Sequence, residues 1–119
     1  MLLNFGHTLG HAIEKLKHFE LLHGECVALG SIAGMYISAK RGLISMEETK
    51  RFVSALSWFG IKTSVSGLDI HSVIEATEND KKMDSGVIRF ILLNEIGQAF
   101  VDRTVTQEEM EDALQYIFD

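Results

Sequence analysis

The sequence predicts a mainly α domain of about five helices and one small β-hairpin. Three observations carry this. Apolar residues recur at helical spacing through most of the chain. Two Ser/Thr-x-x-Glu capping boxes, Ser45 with Glu48 and Thr106 with Glu109, mark helix starts. One stretch, VIRFILLNEIGQAFV (87–101), loses the helical period and combines two short β-prone runs instead.

The first helix is expected from about Gly6 or Thr8 to Lys17, where Leu9, Ala12, Ile13 and Leu16 form an apolar stripe and Glu14, Lys15 and Lys17 fall elsewhere. HFELLHGE (18–25) reads as a connection into a second helix, Gly24 to Arg41. There Val27, Ala28, Ile32, Met35, Tyr36 and Ala39 keep helical spacing, and Gly30, Ser31, Ala33 and Gly34 fill the positions between them. A helix apolar or small on nearly every side is buried by neighbours, so this should be the central one. Gly42 stands where a C-terminal cap belongs. The Ser45 box opens a third helix to about Trp58, with Phe52, Val53, Leu56 and Phe59 as its buried face, and Gly60 closes it. IKTSVSG (61–67) is a polar-leaning connection. Asp69 is the N-cap of a short helix carrying Ile70, Val73, Ile74 and Thr77 inward and His71 outward, and ending in the lysines of NDKK (79–82). His18 also reads as exposed. A hairpin turning around Asn94 to Gly97 follows. The Thr106 box then opens a last helix that faces Met110, Ala113, Leu114 and Ile117 to the core.

The 119 residues make one ordinary domain (1–119), and 46% hydrophobic with 24% charged residues is a soluble globular balance. A net charge of −6 with scattered basic residues gives no case for nucleic acid. The single cysteine, Cys26, cannot form an internal disulfide and reads as a small buried side chain, which suits a reducing, cytoplasmic setting. Neither a membrane span nor a signal peptide is expected. The abrupt start in dense apolar sequence is what a domain cut from a longer chain looks like.

Three of the five histidines lie in LLNFGHTLGHAIE (2–14) and LLHGECVALG (21–30). His7 and His11 are four apart, so on a helix their rings project from one face and could converge on a cation. Neutral imidazole suits zinc. The helical zinc-protease motif needs a glutamate directly after its first histidine, and Thr8 stands there, which disfavours a metalloprotease. A single histidine on an apolar face is more often a hydrogen-bonded core residue. Three together, with Gly6, Gly10 and Gly24 allowing close backbone approach, favour function. By itself, the lysine pair Lys81 and Lys82 reads as charge that complements a helix C-terminus.

These residues resemble the signature of the 3-dehydroquinate synthase family, within the wider group of sugar-phosphate cyclases. The likeness is dense over residues 2–30, looser through the middle, and returns at NDKK and VIRFILLNEIGQA. It implies a multihelical C-terminal domain of the dehydroquinate synthase-like fold, a metal- and substrate-binding unit whose N-terminal NAD-binding partner domain is absent from this chain. It also assigns roles. His7 and His23 match two zinc ligands (another divalent metal such as cobalt could serve), while His11, which spacing alone suggested as a ligand, matches a histidine that contacts substrate. Asn4 matches a substrate-binding asparagine, and Lys81, or else Lys82, a lysine that binds the substrate's phosphate, which suits a flexible point charge. The third zinc ligand in the family is a glutamate of the N-terminal domain. Glu25 is a candidate to orient a histidine.

The implied activity is that of a phosphorus–oxygen lyase of the shikimate pathway, in aromatic amino acid biosynthesis. It converts 3-deoxy-D-arabino-heptulosonate 7-phosphate to 3-dehydroquinate with NAD and zinc, by transient oxidation of a ring hydroxyl, loss of phosphate, return of hydride and aldol closure. The isolated 119 residues are expected to be inactive, and a homodimer is compatible with the resemblance. The absence of proline departs from the family's usual connection near residues 61–69 but does not touch the chemistry. Alternatives are another sugar-phosphate cyclase, since these share the same histidines, and a non-catalytic helical binding module.

Overall fold

The computed structural model describes residues 7–17, 23–83, 90–93 and 98–118. Its order is α1 (His7–Leu16), α2 (His23–Lys40), α3 (Met46–Trp58), α4 (Ile70–Met83), β1 (Phe90–Leu93), β2 (Ala99–Asp102) and α5 (Gln107–Ile117). The mainly α expectation holds, and every expected element is present.

α2 is the centre. Residues 28–35 are buried without a break, because no turn of this segment carries a large polar side chain that would have to reach water. α1, α3, α5 and β1 all pack on it, and α1 also packs on α4. The core joins Leu9, Ala12 and Ile13 of α1 to Leu29, Ile32 and Ile37 of α2, Val73 of α4, Leu92 of β1 and Met110, Leu114 and Ile117 of α5. Among the described residues no buried side-chain polar atom lacks a hydrogen-bond partner. Ser31 and Ser38 donate to carbonyls one turn back, at 2.8 and 2.9 Å, and Thr49, fully buried on α3, donates to the Met35 carbonyl at 3.4 Å.

Helix ends follow from local chemistry. At the end of α2 the chain turns through Gly42 at φ 79°, with Leu43 N–H bonded to Ser38 O and Gly42 N–H to Ala39 O, which satisfies two terminal carbonyls. Gly60 at φ 78° does the same after α3, through Ile61 N–H to Leu56 O and Gly60 N–H to Ser57 O. At α5 the capping box is reciprocal: Thr106 accepts from Glu109 N–H, and Glu109 accepts from Thr106 N–H at 3.0 Å. At α3, Ser45 accepts from Glu48 N–H. Asp69 accepts from Ser72 N–H at 3.2 Å and opens α4, which runs 14 residues and ends, as expected, just past the NDKK lysines.

One expectation needs correction. Phe59 is 77% exposed instead of buried, because the helix ends at Trp58 and Phe59 is already its C-cap, where the helical period no longer applies. The polar-leaning connection 61–67 also contributes to the core. Val65 is 4% exposed, donates its N–H to Ile117 O at 2.9 Å and bridges in parallel to Phe118, so it joins the core beside the end of α5. His71 is exposed, as expected. The hairpin pairs β1 and β2 antiparallel from Phe90↔Asp102 to Leu93↔Ala99. Its turn, expected at Asn94 to Gly97, and His18 lie outside the described residues.

One cluster ties three elements together near the C-terminal end of α2. Arg41 holds Glu109 of α5 through two bonds, at 2.6 and 2.8 Å, and Asp102 of β2 at 3.1 Å, and it donates to Thr104 at 3.2 Å. The Arg41 fork holds Glu109 below the usual carboxylate range, against the opposing effect of burial. For Asp102 burial pushes upward, but the bonds from Thr104 and the Arg41 charge together outweigh it, and the net direction is down. Beside this cluster Tyr36 of α2 stacks on Tyr116 of α5 with ring centroids 4.4 Å apart.

Candidate functional site

Two of the residues expected to carry chemistry open helices. His7 opens α1 and His11 follows one turn later. His23 opens α2. For these histidines and for Lys81 and Lys82, the description is of the backbone. At 100° per residue His7 and His11 lie within about 40° of each other around α1, as their spacing predicts.

The two helices approach closely at Gly10 of α1 and Cys26 of α2. A Cβ built on Gly10 would stand 2.5 Å from the carbonyl oxygen of Cys26, 3.1 Å from its carbonyl carbon and 3.6 Å from the Val27 Cα. No side chain fits that gap, so the backbones touch because residue 10 has none. Gly10 is the fourth residue of α1 and Cys26 the fourth of α2. His7 and His23 therefore each stand three residues, about 4.5 Å of helix rise, ahead of the contact on their own helix. Two ligand-type residues 16 positions apart in the chain are brought to neighbouring first turns.

The chemistry of this crossing suits a cation. Two imidazole donors are half of a tetrahedral zinc set and two of the three protein ligands of a catalytic one. Two carboxylates stand close by. Glu14 and Glu25 are both half-buried and near enough to Cys26 that, together with the larger effect of burial, they push its thiol pKa upward. The raised pKa disfavours the thiolate of Cys26. Among the described residues no group of three or more His, Cys, Asp or Glu side chains is arranged to hold a metal.

Sequence reasoning missed one participant. Glu14 was expected to fall away from the apolar stripe, yet it is half-buried and its charge acts on Cys26 of α2. Its position three residues after His11 and seven after His7 was the available signal, because these spacings share a helix face. Lys81 and Lys82 are in the last turn of α4, which packs on α1, the helix that carries His7 and His11. Asn4 lies outside the described residues. No described helix is long and apolar enough to cross a membrane.

Comparison with known proteins identifies the family. The family model described as 3-dehydroquinate synthase C-terminal matches residues 1–83. The chain is 39% identical over 118 residues to 3-dehydroquinate synthase of Nostoc punctiforme, an alignment covering 98% of this chain and 31% of that protein. It is 42% identical over 115 residues to that of Rippkaea orientalis, covering 95% and 31%. The chain thus spans about a third of the length of the curated relatives it matches. Among solved structures, 2-epi-5-epi-valiolone synthase from Streptomyces hygroscopicus subsp. jinggangensis, with NAD+ and Zn2+ bound, superposes with a TM-score of 0.84 at 26% identity, covering 96% of this chain and 32% of that one. A 2-deoxy-scyllo-inosose synthase complexed with carbaglucose-6-phosphate, NAD+ and Co2+ gives a TM-score of 0.77 at 22% identity, over 95% and 32%, and shares the fold. A family match over residues 1–83, a fold shared with sugar-phosphate cyclases and a histidine-bearing helix crossing within the matched region lead to one conclusion: the chain belongs to the 3-dehydroquinate synthase C-terminal family.

Proposed function

We propose that these residues form the metal- and substrate-binding part of a 3-dehydroquinate synthase. The complete protein would convert 3-deoxy-D-arabino-heptulosonate 7-phosphate to 3-dehydroquinate with release of phosphate. The observation that carries this reading is the Gly10–Cys26 contact, which makes neighbours of the turns that begin with His7 and His23 inside the segment matched by the family model. His7 and His23 hold zinc together with a ligand from outside these residues. When bound, the zinc supplies Lewis-acid polarisation of a substrate hydroxyl, and NAD supplies the hydride acceptor.

The chain's own residues do the remaining work. His11, one turn beyond His7 on nearly the same face, positions the substrate and moves a proton, which an imidazole does well near neutral pH because it can both accept and donate. Lys81, at the end of the helix packed on α1, neutralises the phosphate as a point charge, and Asn4 hydrogen-bonds the substrate. Glu25 and Glu14 orient histidine rings, which fixes the nitrogen offered to the metal. Placement in the cytoplasm follows from the same reading.

The competing reading is a cyclase for another sugar phosphate, supported by the TM-score of 0.84 to 2-epi-5-epi-valiolone synthase. Identity of 39% and 42% to 3-dehydroquinate synthases, against 26% to that cyclase, favours the first reading. Phosphate release by the complete protein with NAD and zinc separates the two. Release from the seven-carbon keto acid phosphate and not from a neutral sugar phosphate such as glucose 6-phosphate is expected; the opposite preference would sink the assignment.

A further inference from the structure

Among Gly10, Gly24, Gly42, Gly60 and Gly67, only Gly10 has its absent side chain's place taken by backbone. Gly42, Gly60 and Gly67 have φ near +78°, the left-handed region that favours glycine, and Gly24 faces open space. Gly10 lies inside α1, where glycine costs about 1 kcal/mol relative to alanine. The sequence accepts that penalty at the one place where α1 touches the Cys26 carbonyl. An alanine there would have to move from 2.5 Å to the 3.4 Å of ordinary contact, a shift of about 0.9 Å, and the atoms in its way are backbone and cannot rotate aside.

From this we infer that Gly10 is a positioning residue for the metal: it sets the separation of α1 and α2 and so the distance between the imidazoles of His7 and His23. The inference rests on the reading of those two histidines as ligands. Its magnitude decides in its favour, because metal–ligand distances tolerate only about 0.2 Å, well under the displacement that a side chain at residue 10 imposes. The first turns it separates are the ones that begin with the two ligands. The remaining contacts of α1, through Leu9, Ala12 and Ile13, can hold the fold while the site is spread.

The test is zinc affinity of the complete protein, measured by competition with a chromophoric chelator alongside the thermal stability of the metal-free form. Gly10→Ala is expected to raise the zinc Kd about 10–100-fold, the usual range for losing a group that orients metal ligands. Ile117→Ala, a buried core truncation on α5, which packs on α2 and α4, lowers stability but should leave the zinc Kd within about twofold. Loss of stability alone would move both variants alike. If Gly10→Ala does not fold, the same comparison is made between Ile13→Ala and Ile117→Ala. Both residues are 0% exposed and in one core, but Ile13 is one turn beyond Gly10 on α1. A larger rise in Kd for Ile13→Ala supports the role, and equal effects overturn it. A folded Gly10→Ala protein with wild-type zinc affinity also overturns it, provided His7→Ala and His23→Ala lose zinc. Retention of zinc by the two histidine variants overturns the ligand reading itself, and the positioning role with it.

Discussion

The two ends of α2 are held by opposite means. At its start, α2 meets α1 through the absence of a side chain: Gly10 lets two backbones touch, and the charges of Glu14 and Glu25 act on the buried Cys26 thiol beside the contact. At its far end α2 meets β2 and α5 through one long side chain, Arg41, whose fork spans Glu109 and Asp102. The first junction is tight, specific in distance and rich in groups that can bind or transfer a proton. The second is a partly exposed ionic clamp, with side-chain exposures of 24% for Arg41, 15% for Asp102 and 27% for Glu109, and it carries no reacting group. On the proposed reading one end of the central helix serves chemistry and the other serves assembly, and each substitution below touches one end alone.

The largest effect is expected at the chemical end. His11→Ala in the complete protein should lower kcat by about 10²–10⁴-fold, the usual cost of losing a general acid or base. The thermal midpoint should stay near wild type, and steady-state kinetics with a parallel melt check both. A turnover within about threefold of wild type would break the division.

At the other end, Arg41→Ala should leave turnover intact and destabilise by about 2 kcal/mol, because charge-assisted, bidentate bonds are lost and two partly buried carboxylates are left behind. The pH dependence has a definite sign. Asp102 and Glu109 have pKa values below their unfolded ones, so their stabilisation is present above about pH 4, the ordinary carboxylate value, and is lost as pH falls through the lowered folded values. Urea unfolding between about pH 2 and 6 should therefore show a steep acid loss in wild type and a shallower one in Arg41→Ala. Thr104 and Thr106 still bond the two carboxylates, so some slope remains. Parallel curves for the two proteins would show that the clamp does not set these pKa values.

A smaller effect belongs to the cap next to the clamp. Thr106→Ala removes the acceptor of Glu109 N–H and should cost about 1 kcal/mol, with turnover unchanged. A loss much above that would mean the cap also holds Glu109 for Arg41, and a double-mutant cycle with Arg41→Ala reads this coupling directly.

How much of this was legible beforehand depends on the range of the interaction. Caps at Thr106 and Asp69 and the glycine stops at Gly42 and Gly60 are written within a few residues, and the sequence reveals them. The burial of α2 is also readable, because a helix with small residues on every turn has no polar face to expose. The Arg41 clamp joins residues 61 and 68 positions apart, and an arginine at the end of a helix looks the same in sequence whether it is clamped or solvated. Val65 could not be found for the same reason, since its partner is the far end of α5. Phe59 was misread because periodicity has no means of sensing the residue at which a helix stops. At the site, the three histidines and the glycine among them were visible, whereas the partner of Gly10, the Cys26 carbonyl, was not, because every residue has a carbonyl and only the fold selects one.

Spacing along α1 alone pairs His7 with His11, whereas the family resemblance pairs His7 with His23, a reading supported by the close approach of the two first turns. Zinc content of three purified variants of the complete protein decides between them. The account predicts that His7→Ala and His23→Ala lose the metal and that His11→Ala retains about one equivalent, since a catalytic zinc site needs its full set of protein ligands. A His11→Ala protein without zinc, beside a His23→Ala protein that keeps it, would contradict the pairing of the two helix starts.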